Sequence, residues 1–199
     1  DPNSMPVDKA RAHIRAFLSP VTTIERLHIR DALGRVLAED VVSTMNVPSH
    51  DNSGMDGYAF RHADVPAEGD ATLAVIGTSF AGKPYEGTVG PGQAVRIMTG
   101  ASVPPGCDTV VMQERAKAAD GKVTLGSGAK KGQNIRRAGE DLAVGQVVFR
   151  KGQPVRAAEL GMLASLGIIE VSVYRRLRVA FFSTGDELVS LGGTLGPGQ

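Results

Sequence analysis

Asp51-Asn52-Ser53-Gly54-Met55-Asp56-Gly57-Tyr58 sets two carboxylates five positions apart. An amide, a hydroxyl and a glycine lie between them, and a second glycine follows. Asn, Asp and Ser bond nearby backbone and Gly tolerates positive φ, so the stretch reads as a loop. Tyr58-Ala59-Phe60 then reads as the start of a strand leaving it. Two acids among small polar donors can hold a hard cation or a phosphate ester. The same residues also make an ordinary Asx-rich turn at a strand entrance.

Downstream, from Tyr58 to about Ile135, short β-rich runs alternate with Gly and Pro. The runs are Leu73–Ile76, Ala94–Met98, Thr109–Met112 and Lys122–Leu125. The punctuation falls at Gly69-Asp70, Gly90-Pro91-Gly92, Pro104-Pro105-Gly106 and Asp120-Gly121. This spacing predicts a small barrel or sandwich. Upstream, Ala10, Ile14, Phe17 and Leu18 fall at helical spacing within Val7–Leu18, and Pro20 ends that helix. Ile24–Ile29 alternates as a strand. Asp31–Arg35 reads as a turn, or one helical turn capped by Asp31. Val36–Val42 continues as a short helix or strand.

Past Gly139 the texture reverts. Val147–Phe149 is a strand and Lys151-Gly152 a turn. Pro154–Gly167 is a helix with Ala157, Leu160, Gly161, Leu163 and Ala164 on one face and Gly167 at its C-terminus. Ile168–Val173 is a strand. The expected organisation is an α+β domain made of 6–48 with 138–175, interrupted by an inserted β domain at 49–137. The helix at 6–19 belongs either with that α+β domain or with a further α/β domain. Leu177–Phe182 is nearly all apolar and runs into Ser183-Thr184-Gly185-Asp186-Glu187, as a parallel α/β sheet presents a ligand site. Residues 176–199 are therefore expected to begin a truncated α/β domain, the sequence being a fragment. Asp1–Met5 reads as a cloning remnant ahead of a native Met5.

Composition narrows the function. A net charge of +1 gives no broad field for nucleic acid or membrane. One cysteine, Cys107, permits no internal disulfide and fits a reducing, cytoplasmic setting. No apolar run approaches the roughly 20 residues that span a bilayer. His13, His28, His50 and His62 lack metal-ligand spacing, and neither a Walker A loop nor G-x-G-x-x-G is present.

Polar loops beside strands carry the remaining chemistry. Thr99-Gly100 ends an apolar strand, so its hydroxyl and N–H either face a ligand or close a turn. Arg136-Arg137 offers forked donors for an oxyanion, or else forms a self-neutralising run with Glu140 and Asp141. Asp186 and Glu187 follow an apolar strand as ligand-site acids, or serve as acids at a helix N-terminus.

Six ordered motifs carry a resemblance. They are Asp51–Ala59, Ser79–Gly82, Arg96–Ala101, Val110–Glu114, Asn134–Asp141 and Phe182–Leu188. Together they resemble the molybdopterin molybdotransferases of the bacterial MoeA type, related to the E domain of gephyrin. The resemblance implies insertion of molybdate into adenylylated molybdopterin with release of AMP and participation of Mg²⁺. It also implies an elongated, multi-domain, usually homodimeric protein with a possible molybdopterin adenylyltransferase partner. Carried over by motif, Asp56, Thr99, Asp141 and Glu187 are the expected catalytic positions. Asp56, Asp186 and Glu187 are the expected metal ligands. Ser53, Gly100, Arg136, Arg137, Ser183, Thr184 and Gly185 are expected to touch substrate. In these expectations Thr99 donates to a phosphate oxygen and Asp141 orders the hinge or the same cleft. The family's molybdate-binding residues would lie beyond Gln199, so the fragment alone is expected to be inactive. The rival readings are a non-catalytic scaffold of the gephyrin type and a generic carbohydrate- or nucleotide-binding β domain at 49–136.

Overall fold

A computed structural model describes residues 4–199; the first three residues of the expected cloning remnant lie outside the described residues. The chain forms two units. One is Asp40–Arg150; the other joins the described residues up to Glu39 to Lys151–Gln199. The protein is mixed α+β, rich in strands and poor in helix.

Helix α1 (Val7–Phe17) opens the discontinuous unit and buries none of its residues. Strand β1 (Ile24–His28) follows, then a single 3₁₀ turn at Ile29–Asp31. That turn precedes the expected one and is capped by His28, whose Nδ1 accepts from the Arg30 N–H at 3.1 Å. Asp31–Arg35 itself forms a turn at Leu33-Gly34, the first of the two expected alternatives, closed by the Arg35 N–H to Ala32 O at 3.0 Å.

The continuous unit begins with β2 (Val41–Val42), β3 (Asn52–Ser53) and β4 (Gly57–Phe60). Next come β5 (Asp70–Ser79), β6 (Gln93–Ile97) and β7 (Thr109–Met112). It ends with β8 (Ala116–Ala119), β9 (Lys122–Gly126), β10 (Ile135–Arg136) and β11 (Val147–Phe149). Six of these strands form one sheet in the order β7-β4-β6-β5-β9-β8. All its pairs are antiparallel except β5 with β6.

The edges β7 and β8 are joined by only three residues, Gln113–Arg115. Six flat strands would hold their outer members about 24 Å apart. Three linking residues span at most about 14 Å. The sheet must therefore curl, which is the barrel-like member of the two expected arrangements.

Every residue of β4 is buried, because both faces of this strand are covered. Tyr58 and Phe60 point into a cluster with Leu73, Ala94, Val111, Val123 and Leu125. Ala59 packs on the opposite side with Ile97, Ala101 and Val110. This alternation follows the two-residue period of a strand.

The chain returns to the first unit with α2 (Ala157–Ser165) and β12 (Glu170–Tyr174). β12 pairs antiparallel with β1, Ile24 opposite Tyr174 and His28 opposite Glu170. The buried face of this helical region is Glu159, Leu163 and Leu166, while Ala157, Gly161 and Ala164 are exposed. The expected face is thus rotated, because Glu159 is taken inward by its cap. Its carboxylate accepts from the Arg156 backbone N–H at 2.9 Å and from the Arg156 guanidinium at 2.8 and 3.1 Å. The guanidinium, with that backbone N–H, brings the Glu159 carboxyl down to about 2.

Leu177–Phe182, expected as a strand, has no regular secondary structure, and Phe181 and Phe182 are largely exposed. No described strand pairs with it, and an unpaired strand leaves its backbone donors and acceptors without partners.

Candidate functional site

The loop at Asp51–Gly57 is built by backbone bonds to three other segments. Ser53 N–H donates to Ala101 O at 2.9 Å, and Gly100 N–H to Ser53 O at 2.8 Å. Gly54 N–H donates to Asn134 O at 2.9 Å, and Val103 N–H to Asp51 O at 3.0 Å. β3 also pairs with β10, Ser53 opposite Ile135. Ser53 is buried, and its hydroxyl caps its own turn by donating to Met55 O. Neither Gly54 nor Gly57 has positive φ, and of the two only Gly57 is demanded by space. A Cβ on Gly57 would stand 1.9 Å from Val111 O, so β4 approaches β7 only with glycine there.

This frame brings Asp56 to Thr99. Asp56 Oδ1 accepts from the Thr99 N–H at 2.7 Å and from its hydroxyl at 2.6 Å. Gly100, at φ 79°, makes the turn that aims Thr99 back at the acid. The hydroxyl bond, then the backbone bond, holds the exposed Asp56 carboxyl below its ordinary value, with a smaller contribution from Arg96. Asp56 is therefore an oriented anion at neutral pH, and both Thr99 bonds fall on one oxygen. Oδ2 is left for other partners, as suits one carboxylate ligand of a hard cation that keeps water and substrate oxygens. Among the described residues no three His, Cys, Asp or Glu side chains gather as a ready-made metal site.

Beside this pair lies a second network. Asp51 accepts from the Ala138 N–H at 2.9 Å and pairs with the Arg137 guanidinium. The Ala138 bond foremost, then Arg137, lowers its carboxyl. Arg136 Nε donates to Glu140 at 2.7 Å, and its Nη2 pairs with Asp141. Glu140 also accepts from the Arg137 N–H at 2.7 Å, and Arg136 followed by that N–H lowers its carboxyl. The Asp141 N–H is anchored on Val47 O at 3.0 Å. The charge run is thus self-neutralised in place.

Arg96 and Gln113 lie within two of the ordered motifs but received no role from the sequence. Arg96 lies over the Tyr58 ring, 5.0 Å from its centroid, and bonds Gln113 Oε1. Gln113 N–H in turn donates to Asp56 O at 3.0 Å. Arg96 sits opposite Tyr58 in the register of β6 with β4, a signal visible only once the strands are paired. Cys107 is half-buried, and burial, then Asp108, pushes its thiol up to about 12, so it stays protonated.

The remaining predicted residues, Ser183, Thr184, Gly185, Asp186 and Glu187, lie in the discontinuous unit. They form an irregular segment with a turn at Asp186-Glu187, closed by the Leu188 N–H to Gly185 O at 3.1 Å. Both acids are exposed, and the Glu187 carboxylate folds back over Gly185.

Comparison with known proteins fits this arrangement. The family described as MoeA N-terminal region (domain I and II) matches residues 5–167. The molybdopterin molybdenumtransferase of Haemophilus influenzae is 47% identical over 194 residues, covering 97% of this chain and 48% of that protein. The protein of the same name from Nostoc is 44% identical over 171 residues, covering 84% of this chain and 39% of that one. The crystal structure of the molybdopterin biosynthesis MoeA protein from Pyrococcus horikosii superposes with a TM-score of 0.86 at 33% identity, covering 99% of this chain and 51% of that one. The chain thus spans about half the length, or less, of these relatives. On the matched profile, the shared fold and the ordered loop motifs, it belongs to the MoeA family and carries that family's N-terminal region.

Proposed function

We propose that this chain is part of a transferase of molybdenum cofactor biosynthesis, which inserts molybdate into adenylylated molybdopterin and releases AMP. Its domains would be the discontinuous α+β domain (6–48 with 138–175), the inserted β domain (49–137) and the start of an α/β domain (176–199). The whole protein would be an elongated cytoplasmic homodimer, able to receive its substrate from a molybdopterin adenylyltransferase. Turnover would belong to a chain of the relatives' length and not to residues 1–199 alone.

The observation that carries this reading is the Asp56–Thr99 pair, which joins two of the ordered family motifs into one oriented anion. Asp56 would be a carboxylate ligand of Mg²⁺, and the cation would supply neutralisation of the substrate's phosphate charge; Asp186 and Glu187 would be the metal-ligand acids of the discontinuous unit. Thr99 would keep Asp56 ionised and aimed, and on releasing the acid its hydroxyl would donate a hydrogen bond to a phosphate oxygen. Arg136 and Arg137 would attract the phosphates, while Glu140 and Asp141 keep the Arg136 fork in place and Asp51 that of Arg137. Ser53 and Gly100 would line the same loop. Ser183, Thr184 and Gly185 would present further donors to the substrate.

Asp56→Asn in the full-length protein tests this. The variant should fold normally, since Asp56 is exposed, yet lose at least about 100-fold in molybdenum insertion, as expected when an oriented charged group is removed from an active site. Undiminished insertion would rule out the assigned role.

A further inference from the structure

The discontinuous unit holds a cleft of about 740 Å³ with an unusual wall. Two separate segments meet there. Arg30 and Arg35 come from the loop after β1, and Arg175, Arg176 and Arg178 follow β12. The carboxylates lining the same cleft are Glu25 and Asp31. Five arginines and two acids thus line the cleft, and no lysine contributes.

Arg35 is the fixed point of this wall. Its side chain is only 7% exposed. It pairs with Glu25 and donates to Tyr174 O at 2.8 Å. Its Nε–H is buried and finds no acceptor among the described residues, and Glu25 is the carboxylate it pairs with. Arg175 is pinned in part by donating to Arg176 O at 2.6 Å. Arginine is always charged in water, and its planar fork matches tetrahedral and planar oxyanions. Several arginines on one wall set up a local positive field that a shared anion would relieve. The volume suits a small ligand more than a protein segment.

We propose that this cleft binds a compact phosphoanhydride or phosphate ester carrying two to three negative charges. The site uses none of the residues of the Asp56 loop and stands independently of the activity proposed above.

Calorimetry on this chain with inorganic pyrophosphate, ADP and sulfate tests it. Arg30→Gln with Arg178→Gln removes two exposed forks and leaves the buried Arg35 pair intact. Pyrophosphate should bind the parent chain more tightly than sulfate, and the double variant should weaken it by tenfold or more at an unchanged circular dichroism spectrum. Comparable affinity for ADP and pyrophosphate assigns the site to the phosphate groups alone, and tighter ADP binding assigns it to nucleotides. Absence of pyrophosphate binding overturns the proposal. So does equal binding by the variant or by sulfate, which would mark a solvated charge cluster.

Discussion

At the scale of single residues, the informative quantity is the proton affinity of Asp56. Its folded-state value lies below the ordinary carboxyl range because Thr99 gives it two bonds. A group depressed on folding stabilises the fold fully above its unfolded value, near pH 4, and loses that contribution as the pH falls through its folded value. Thr99→Val removes the hydroxyl bond and keeps the backbone one. Its Asp56 titration, followed by carboxyl carbon NMR, should move upward toward the ordinary value without reaching it. An unmoved titration would mean that the hydroxyl does not hold the acid. The sequence displayed Asp56 plainly as an acid in a turn. It could not display the partner, because Thr99 lies 43 positions away and reaches Asp56 only once β4 and β6 are paired. Arg96 was hidden for the same reason.

At the scale of elements, patterns with a dominant local cause were readable and those set by neighbours were not. β7 matches its expected run, Thr109–Met112, since its β-branched residues and following turn agree. β8 was invisible: Ala116-Lys117-Ala118-Ala119 has helical preference, yet it forms an edge strand on β9. Asp120 at φ 51° and Gly121 at φ 70° make the tight turn that imposes this pairing. Two glycines separate local from tertiary demands. Gly161 lies within α2 with open space around its missing Cβ. Gly161→Ala should therefore stabilise the chain by about 0.5–1 kcal/mol through helix preference. Gly57→Ala should destabilise it by at least about 2 kcal/mol, because the new methyl meets the Val111 carbonyl. Urea unfolding of both variants measures the contrast, and a neutral Gly57→Ala would mean that β4 and β7 can part without cost.

At the scale of the whole molecule, the chain passes between its units twice, at Glu39–Asp40 and at Arg150–Lys151. Just inside these crossings β2 and β11 pair antiparallel, Val42 opposite Val147 and Val41 opposite Phe149. The continuous unit thus enters and leaves through neighbouring strands, and the pair clasps its ends. Both clusters packed on the curled sheet draw all their residues from between those crossings. A segment with its own core and adjacent ends should fold without the rest of the chain. Residues 40–150, expressed alone, should unfold in one cooperative urea transition and keep the dispersed amide spectrum of a β protein. Replacing Val41 and Val147 by serine should lower the midpoint while leaving the six-stranded sheet, because the clasp lies outside it. A broad, non-cooperative transition of the parent segment would show instead that its stability comes from Glu39 and earlier residues or from Lys151 onward.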